Sequence, residues 1–164
     1  MKIKNISFMT QAAVIAAIYV VLTYVFAPFS FGEVQVRIAE SLTILPLFTP
    51  AAIPGLFIGC LIGNILGGAI LPDMIFGSAA TLLGAVFTYQ LRGLRPFWGT
   101  IPPVAANTLI IPFVLYYGYG ILLPIPFMML TICIGEILSC CVLGMLLYFA
   151  LKKYRLALFE TRHF

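Results

Sequence analysis

The chain has 164 residues, of which 63% are hydrophobic and only 9% charged, with a mean hydropathy of +1.14. A soluble domain is about a quarter charged because its surface must face water, so this composition excludes a water-soluble particle and makes the bilayer the solvent. The net charge of +4 would raise the question of nucleic acid in a soluble protein, but here the cations sit at the ends of apolar runs, where they report topology.

Roughly 20 apolar residues cross a hydrocarbon core, so this length allows six spans with short connections and no separate soluble domain. The first expected span covers residues 6–27, stops at Pro28, and carries the overlapping small pairs Ala12 with Ala16 and Ala13 with Ala17. Its apolar run is long and further runs follow, so it reads as a span and not as a removed leader. A polar and aromatic stretch, FSFGEVQVR, leads to a second helix at 36–48, short for a span, and Pro46, Pro50 and Pro54 punctuate the turn at its end. The third span, 51–70, has a glycine at every fourth position: Gly55, Gly59, Gly63 and Gly67. That spacing lines one helix face and lets a neighbouring backbone come close; packing within the monomer is preferred over a partner interface. The fourth span covers 74–91 after the turn LPD, the fifth 101–117 after the loop RGLRPFWG, and the sixth 127–151 after YGYGILLPIP.

With six spans, Lys2 and Lys4, Arg92 and Arg95, and Lys152, Lys153 and Arg155 fall on one side, which the positive-inside rule makes cytoplasmic. Both termini are then cytoplasmic, whereas Glu33, Arg37 and Asp73 lie toward the other side. A five-span chain would break this pattern. Trp98 reads as an interfacial anchor, and Phe29, Phe31, Tyr116, Tyr117 and Tyr119 as an aromatic belt or as surfaces on which a flat ligand could stack.

Ionisable groups inside a membrane are costly and face a cavity or a partner. By depth along the spans, Glu40, Asn64, Asp73 and Glu136 fall in the outer half and Asn107 lies deeper. Arg37 and Glu40 are three apart and can share a helix face; the plainer reading of Arg37 is a local ion pair closing the helix end. For Glu136 it is a protonated or hydrogen-bonded packing residue, and for Asn64 and Asn107 an interhelical hydrogen bond. The convergence of these groups suggests an outer binding pocket roofed by loops, and not a continuous channel. Cys60, Cys133, Cys140 and Cys141 lie in apolar runs without CxxC spacing or a nearby histidine, so they read as small packing residues and no metal site is expected. There is no GxxxxGK[ST], HExxH or GxSxG. The chain therefore carries no ATPase or hydrolase signature, and it shows no inverted repeat of the secondary-transporter kind.

The run from Phe31 to Pro46, FGEVQVRIAESLTILP, resembles the signature segment of the QueT family, substrate-capture (S) components of energy-coupling factor (ECF) importers assigned to queuosine precursors. Length, six-span layout and the small-residue first helix extend the resemblance over nearly the whole chain; Ser41 stands where alanine is expected. The resemblance implies an all-α, six-transmembrane-helix bundle with a pocket capped by the loops around Glu33, Asp73 and Tyr119. It implies docking on a transmembrane coupling (T) subunit through Ala12, Ala13, Ala16 and Ala17, two cytoplasmic ATPases as energy source, and toppling of the bundle to release cargo. No cofactor is implied, and the setting is the bacterial plasma membrane.

The implied ligand is a deazaguanine base. Its guanine-like edge has two parallel N–H donors, suited to a bidentate carboxylate, and the candidates are Glu40 and Glu136. Arg37, Asn64 and Asn107 are candidates for its carbonyl, and the other carboxylate or Asp73 for a cationic arm. An S component for another vitamin-like solute, a non-transport membrane scaffold and a membrane-embedded enzyme are the competing readings.

Overall fold

The computed structural model describes residues 2–26 and 36–154, the side chains of 2–5 excepted. The expectations for Glu33, Phe29, Phe31, the loop after the first helix and Arg155 therefore lie outside the described residues. Six helices follow one another: α1 (Lys2–Val25), α2 (Ile38–Leu47), α3 (Ala52–Leu66), α4 (Leu71–Gln90), α5 (Ile101–Tyr117) and α6 (Ile125–Lys152). No strand occurs among the described residues. Four stretches, Ile6–Val25, Leu71–Gly93, Pro96–Tyr117 and Ile125–Lys152, are long and apolar enough to cross a membrane, while α2 and α3 are shorter. Together they form an all-α membrane bundle.

Neighbours pack in the order α1, α3, α4, α5, α6, and α2 is wedged against α1, α3, α4 and the second half of α6. The short second run is thus a central rod and not a lipid-facing span. It winds as a 3₁₀ helix with Pro46 inside, and every residue from Ala39 to Pro46 is buried. At about 2.0 Å per residue, its 10 residues cover about 20 Å of a core about 30 Å thick. Burial on all sides puts this helix in the protein interior, its polar Glu40, Ser41 and Thr43 included, and ten consecutive residues of 3₁₀ winding are uncommon, marking strain or function. The sixth helix has its own irregularity: it is α-helical to Glu136, widens to a π-helix over Ile137–Leu143, and returns to α from Gly144.

The glycine face of α3 closes on α1, and the two run parallel. A Cβ added at Gly55 would lie 2.7 Å from the Ala12 carbonyl oxygen, and one at Gly59 2.8 Å from Tyr19 Cβ and 3.1 Å from Ala16 Cα. At Gly63 it would meet Thr23 at 3.1 Å. The stripe is therefore an internal seam that admits no side chain. The fourth glycine, Gly67, caps α3 instead, donating its N–H to Gly63 at 2.8 Å. Gly68 follows with φ +75°, a left-handed turn residue that needs no Cβ, and the chain reverses into α4. A second close approach joins α4 to α5: a Cβ added at Gly84 would lie 2.7 Å from Pro103 Cα.

The four small residues of α1 divide between two faces. Ala16 is buried and Ala12 half-buried against α3, whereas Ala13 and Ala17 are exposed. At one end of the bundle Arg92, Lys152 and Lys153 share a cavity, flanked by the exposed Trp98. The opposite end of α4 carries Asp73.

Candidate functional site

A buried polar column enters the bundle from the Asp73 end. Asp73 sits in the first turn of α4, where a carboxylate complements the helix dipole. Its Oδ1 accepts from Arg37 Nη2 at 3.5 Å, its Oδ2 from the Tyr119 hydroxyl at 3.1 Å, and its backbone carbonyl from Asn64 Nδ2 at 3.4 Å. Tyr119, which precedes the left-handed Gly120, also accepts from the Ile70 amide at 3.4 Å and so ties the α5–α6 connection to the α3–α4 turn. Partial burial, then the Asp73 carboxylate, raises the Tyr119 hydroxyl above the usual phenol range, so it remains a protonated donor. Gly77 makes room for this group: a Cβ there would stand 3.1 Å from Asp73 Oδ1 and 3.2 Å from Asn64 Nδ2.

Arg37 pairs across the bundle with Asp73, not along its own helix with Glu40 as the three-residue spacing suggested. It lies just before α2 in an extended conformation, φ −85° and ψ 91°, so its side chain does not follow the helical face.

Further in, Glu40 is completely buried. Its Oε1 accepts the Tyr19 hydroxyl at 2.5 Å and the Thr81 hydroxyl at 3.0 Å. Its Oε2 has no hydrogen-bond partner. Glu136, from the last α-helical residue before the π segment, accepts from Cys140 Sγ at 3.3 Å. A Glu40 oxygen, a Glu136 oxygen and Cys140 Sγ lie within 4.8 Å of one another. Asn107 is likewise fully buried and stands beside Glu136; the amide is near enough to interact, but neither its oxygen nor its nitrogen makes an aligned hydrogen bond. Thr108 Oγ1 and Ser139 Oγ are also buried without partners.

Three buried acidic residues, Glu40, Asp73 and Glu136, thus share the interior with one buried guanidinium, Arg37, which pairs with Asp73. An uncompensated charge in a membrane interior is costly, and an unsatisfied buried polar atom costs about 1–3 kcal/mol. The arrangement is suited to a guest that brings N–H donors for the carboxylates and both donor and acceptor for Asn107. The carboxylate–carboxylate–thiol spacing would also admit a metal ion, but Glu40 Oε1 is already occupied by two O–H donors, and the donor set mixes hard oxygen with soft sulfur.

The structure brings together all six polar residues singled out from sequence: Arg37, Glu40, Asn64, Asp73, Asn107 and Glu136. Asn107 stands beside Glu136 and not in a separate deeper layer. Sequence reasoning missed Tyr19, Thr81 and Gly77 as members of the column. It also read Cys60 and Cys140 as packing residues only. Both are buried, but Cys60 accepts from Thr81 at 3.4 Å and Asn64 at 3.7 Å, while Cys140 bonds Glu136 and accepts from Thr43 at 3.5 Å. The available signal was their alignment in depth with Glu40 and Glu136.

Residues 9–153 match the family model described as QueT transporter. A 73-residue segment is 36% identical to the queuosine precursor transporter QueT of Lactococcus lactis subsp. cremoris (strain MG1363), covering 43% of this chain and 43% of that protein. No solved structure matches the chain.

Proposed function

The chain belongs to the QueT transporter family, and on that premise we propose that it is the substrate-capture component of an ECF importer, taking a queuosine precursor from outside the cell. The observation that carries the reading is the pair of buried carboxylates, Glu40 and Glu136, with a free Glu40 oxygen and an unbonded Asn107 amide beside them. A deazaguanine edge supplies two parallel N–H donors that one carboxylate accepts as a charge-assisted pair. Asn107 is placed to meet the base carbonyl from the Glu136 side, and Arg37 with Asn64 from the Asp73 side. Tyr119 and Asp73 close the entrance. The ligand class is supported by the Lactococcus relative, a queuosine precursor transporter aligned over 43% of its length.

The cations at the Arg92 end make that end cytoplasmic under the positive-inside rule, which sets the Asp73 end outside and both termini inside a bacterial plasma membrane. Energy comes from two cytoplasmic ATPases through a coupling T subunit, since the sequence carries no phosphate-binding loop. Docking on that subunit falls to Ala13 and Ala17, because Ala12 and Ala16 are covered by α3.

Reconstitution tests this assembly. Proteoliposomes holding the chain with its T subunit and ATPases are expected to accumulate radiolabelled 7-cyano- or 7-aminomethyl-7-deazaguanine only when ATP is hydrolysed, while the chain alone binds without accumulating. Accumulation by the chain alone under an ion gradient would overturn the importer role, and selective uptake of a vitamin would overturn the ligand.

A further inference from the structure

At the end of the bundle opposite Asp73, a cavity of about 560 Å³ opens between the ends of α2, α4 and α6. Its apolar wall is Leu47, Phe48 and Tyr148, the two rings packed with centroids 5.1 Å apart. Its remaining wall holds three cations, Arg92, Lys152 and Lys153. The described carboxylates Glu40, Asp73 and Glu136 are all buried elsewhere in the bundle, and none lines this cavity. The Arg92 guanidinium is held in place: it stacks 4.0 Å from the Tyr89 ring centroid and donates to the Tyr89 carbonyl at 3.2 Å. Beside the cavity, Phe149 of α6 is more than 60% exposed, its ring 5.7 Å from that of Tyr148, so the aromatic wall continues outward toward the lipid.

We propose that this cavity is a binding site for an anionic phospholipid, the phosphate held by Arg92, Lys152 and Lys153 and the first acyl carbons lying on Phe48 and Tyr148. Basic pockets between membrane helices bind anionic head groups through such converging Lys and Arg side chains. Scattered topology-setting cations do not by themselves require a shared apolar-walled cavity, nor a guanidinium fixed on a ring. The apolar wall open to the acyl region favours a lipid over an acidic protein segment, which would leave that wall uncovered. A lipid seated here would tether the ends of α2, α4 and α6, the elements that also carry Glu40, Asp73 and Glu136.

Native mass spectrometry of the full-length chain in micelles containing equal dioleoylphosphatidylglycerol and dioleoylphosphatidylcholine tests the site. The first lipid retained is expected to be phosphatidylglycerol by at least tenfold. The combined variant Arg92→Gln, Lys152→Gln, Lys153→Gln is expected to bring the ratio near one, while Arg95→Gln, outside the cavity, preserves it; an unchanged melting temperature establishes that the variants fold. Equal retention by the wild type, or a preference that survives the triple variant, overturns the proposal. Displacement of the lipid by millimolar inorganic phosphate would reassign the site to a free anion. A triple variant that keeps its lipid preference but no longer copurifies with the T subunit would assign the cations to a protein partner.

Discussion

Along α1, two adjacent regions use one helix in different ways. Ala12, Ile15, Ala16 and Thr23 close on the glycines of α3 at contact distances that leave no space. Tyr19 carries its ring into that same seam and its hydroxyl out of it, to Glu40. No seam side chain is among the buried groups left without a hydrogen-bond partner. The carboxylate cluster retains a free Glu40 oxygen and an unbonded Asn107 amide. In lipid, where helices gain nothing from expelling water, close backbone packing holds them together. The seam accordingly supplies stability, and the cluster keeps polar atoms unpaired, where the proposed base would bind. Substitutions in the first should act on folding, and those in the second on binding.

The largest effect is expected in the seam. Gly59→Leu would drive a side chain into Tyr19 Cβ and the Ala16 backbone, and neither can swing aside. Overpacking of this kind costs about 3 kcal/mol, a large share of a marginal stability. The yield of monodisperse protein in detergent should collapse; a Gly59→Leu chain that stays monodisperse with an unshifted melting temperature would dissolve the contrast.

In the cluster the balance reverses. Glu40→Gln or Glu136→Gln should weaken ligand binding about tenfold to a hundredfold, the equivalent of a lost charged hydrogen bond. Thermal stability should stay level or rise, because glutamine keeps the shape of the side chain and lowers the cost of burying an acidic group. Tyr19→Phe falls between the regions: the ring stays in the seam, and Glu40 Oε1 keeps only Thr81. A moderate fall in both quantities, about 1 kcal/mol each, read by melting and by equilibrium dialysis, would mark Tyr19 as the joint. The smallest effect is at the entrance. Tyr119→Phe removes a partly exposed bond to Asp73 and should speed ligand release about threefold in stopped-flow measurements.

How much of this was legible depended on the kind of signal. Charged and amide residues in apolar runs stand out because lipid makes them expensive, so Arg37, Glu40, Asn64, Asp73, Asn107 and Glu136 could be singled out without a structure. Their partners could not. Tyr19 and Thr81 lie 21 and 41 residues from Glu40, and a tyrosine or threonine in a membrane helix has ordinary packing uses. Four-residue spacing marked both small faces of α1, but periodicity does not say which face a neighbour covers: α3 took Ala12 and Ala16 and left Ala13 and Ala17 outside. The shortness of α2 was visible, yet a run of that length reads equally as a stunted span or a buried core helix. Burial on every side, which decides it, comes from the four helices packed around it, α1, α3, α4 and α6. The π segment after Glu136 left no mark in composition.

The central claim is that Glu40 and Glu136 hold the base. Isothermal titration of 7-deazaguanine into the purified chain, the Glu40→Gln variant and the Glu136→Gln variant tests it most directly. The account predicts saturable binding to the wild type and at least tenfold weaker binding to each variant, with melting temperatures in the absence of ligand no lower than that of the wild type. Equal affinity in all three proteins would contradict it and return the two carboxylates to a role in helix packing.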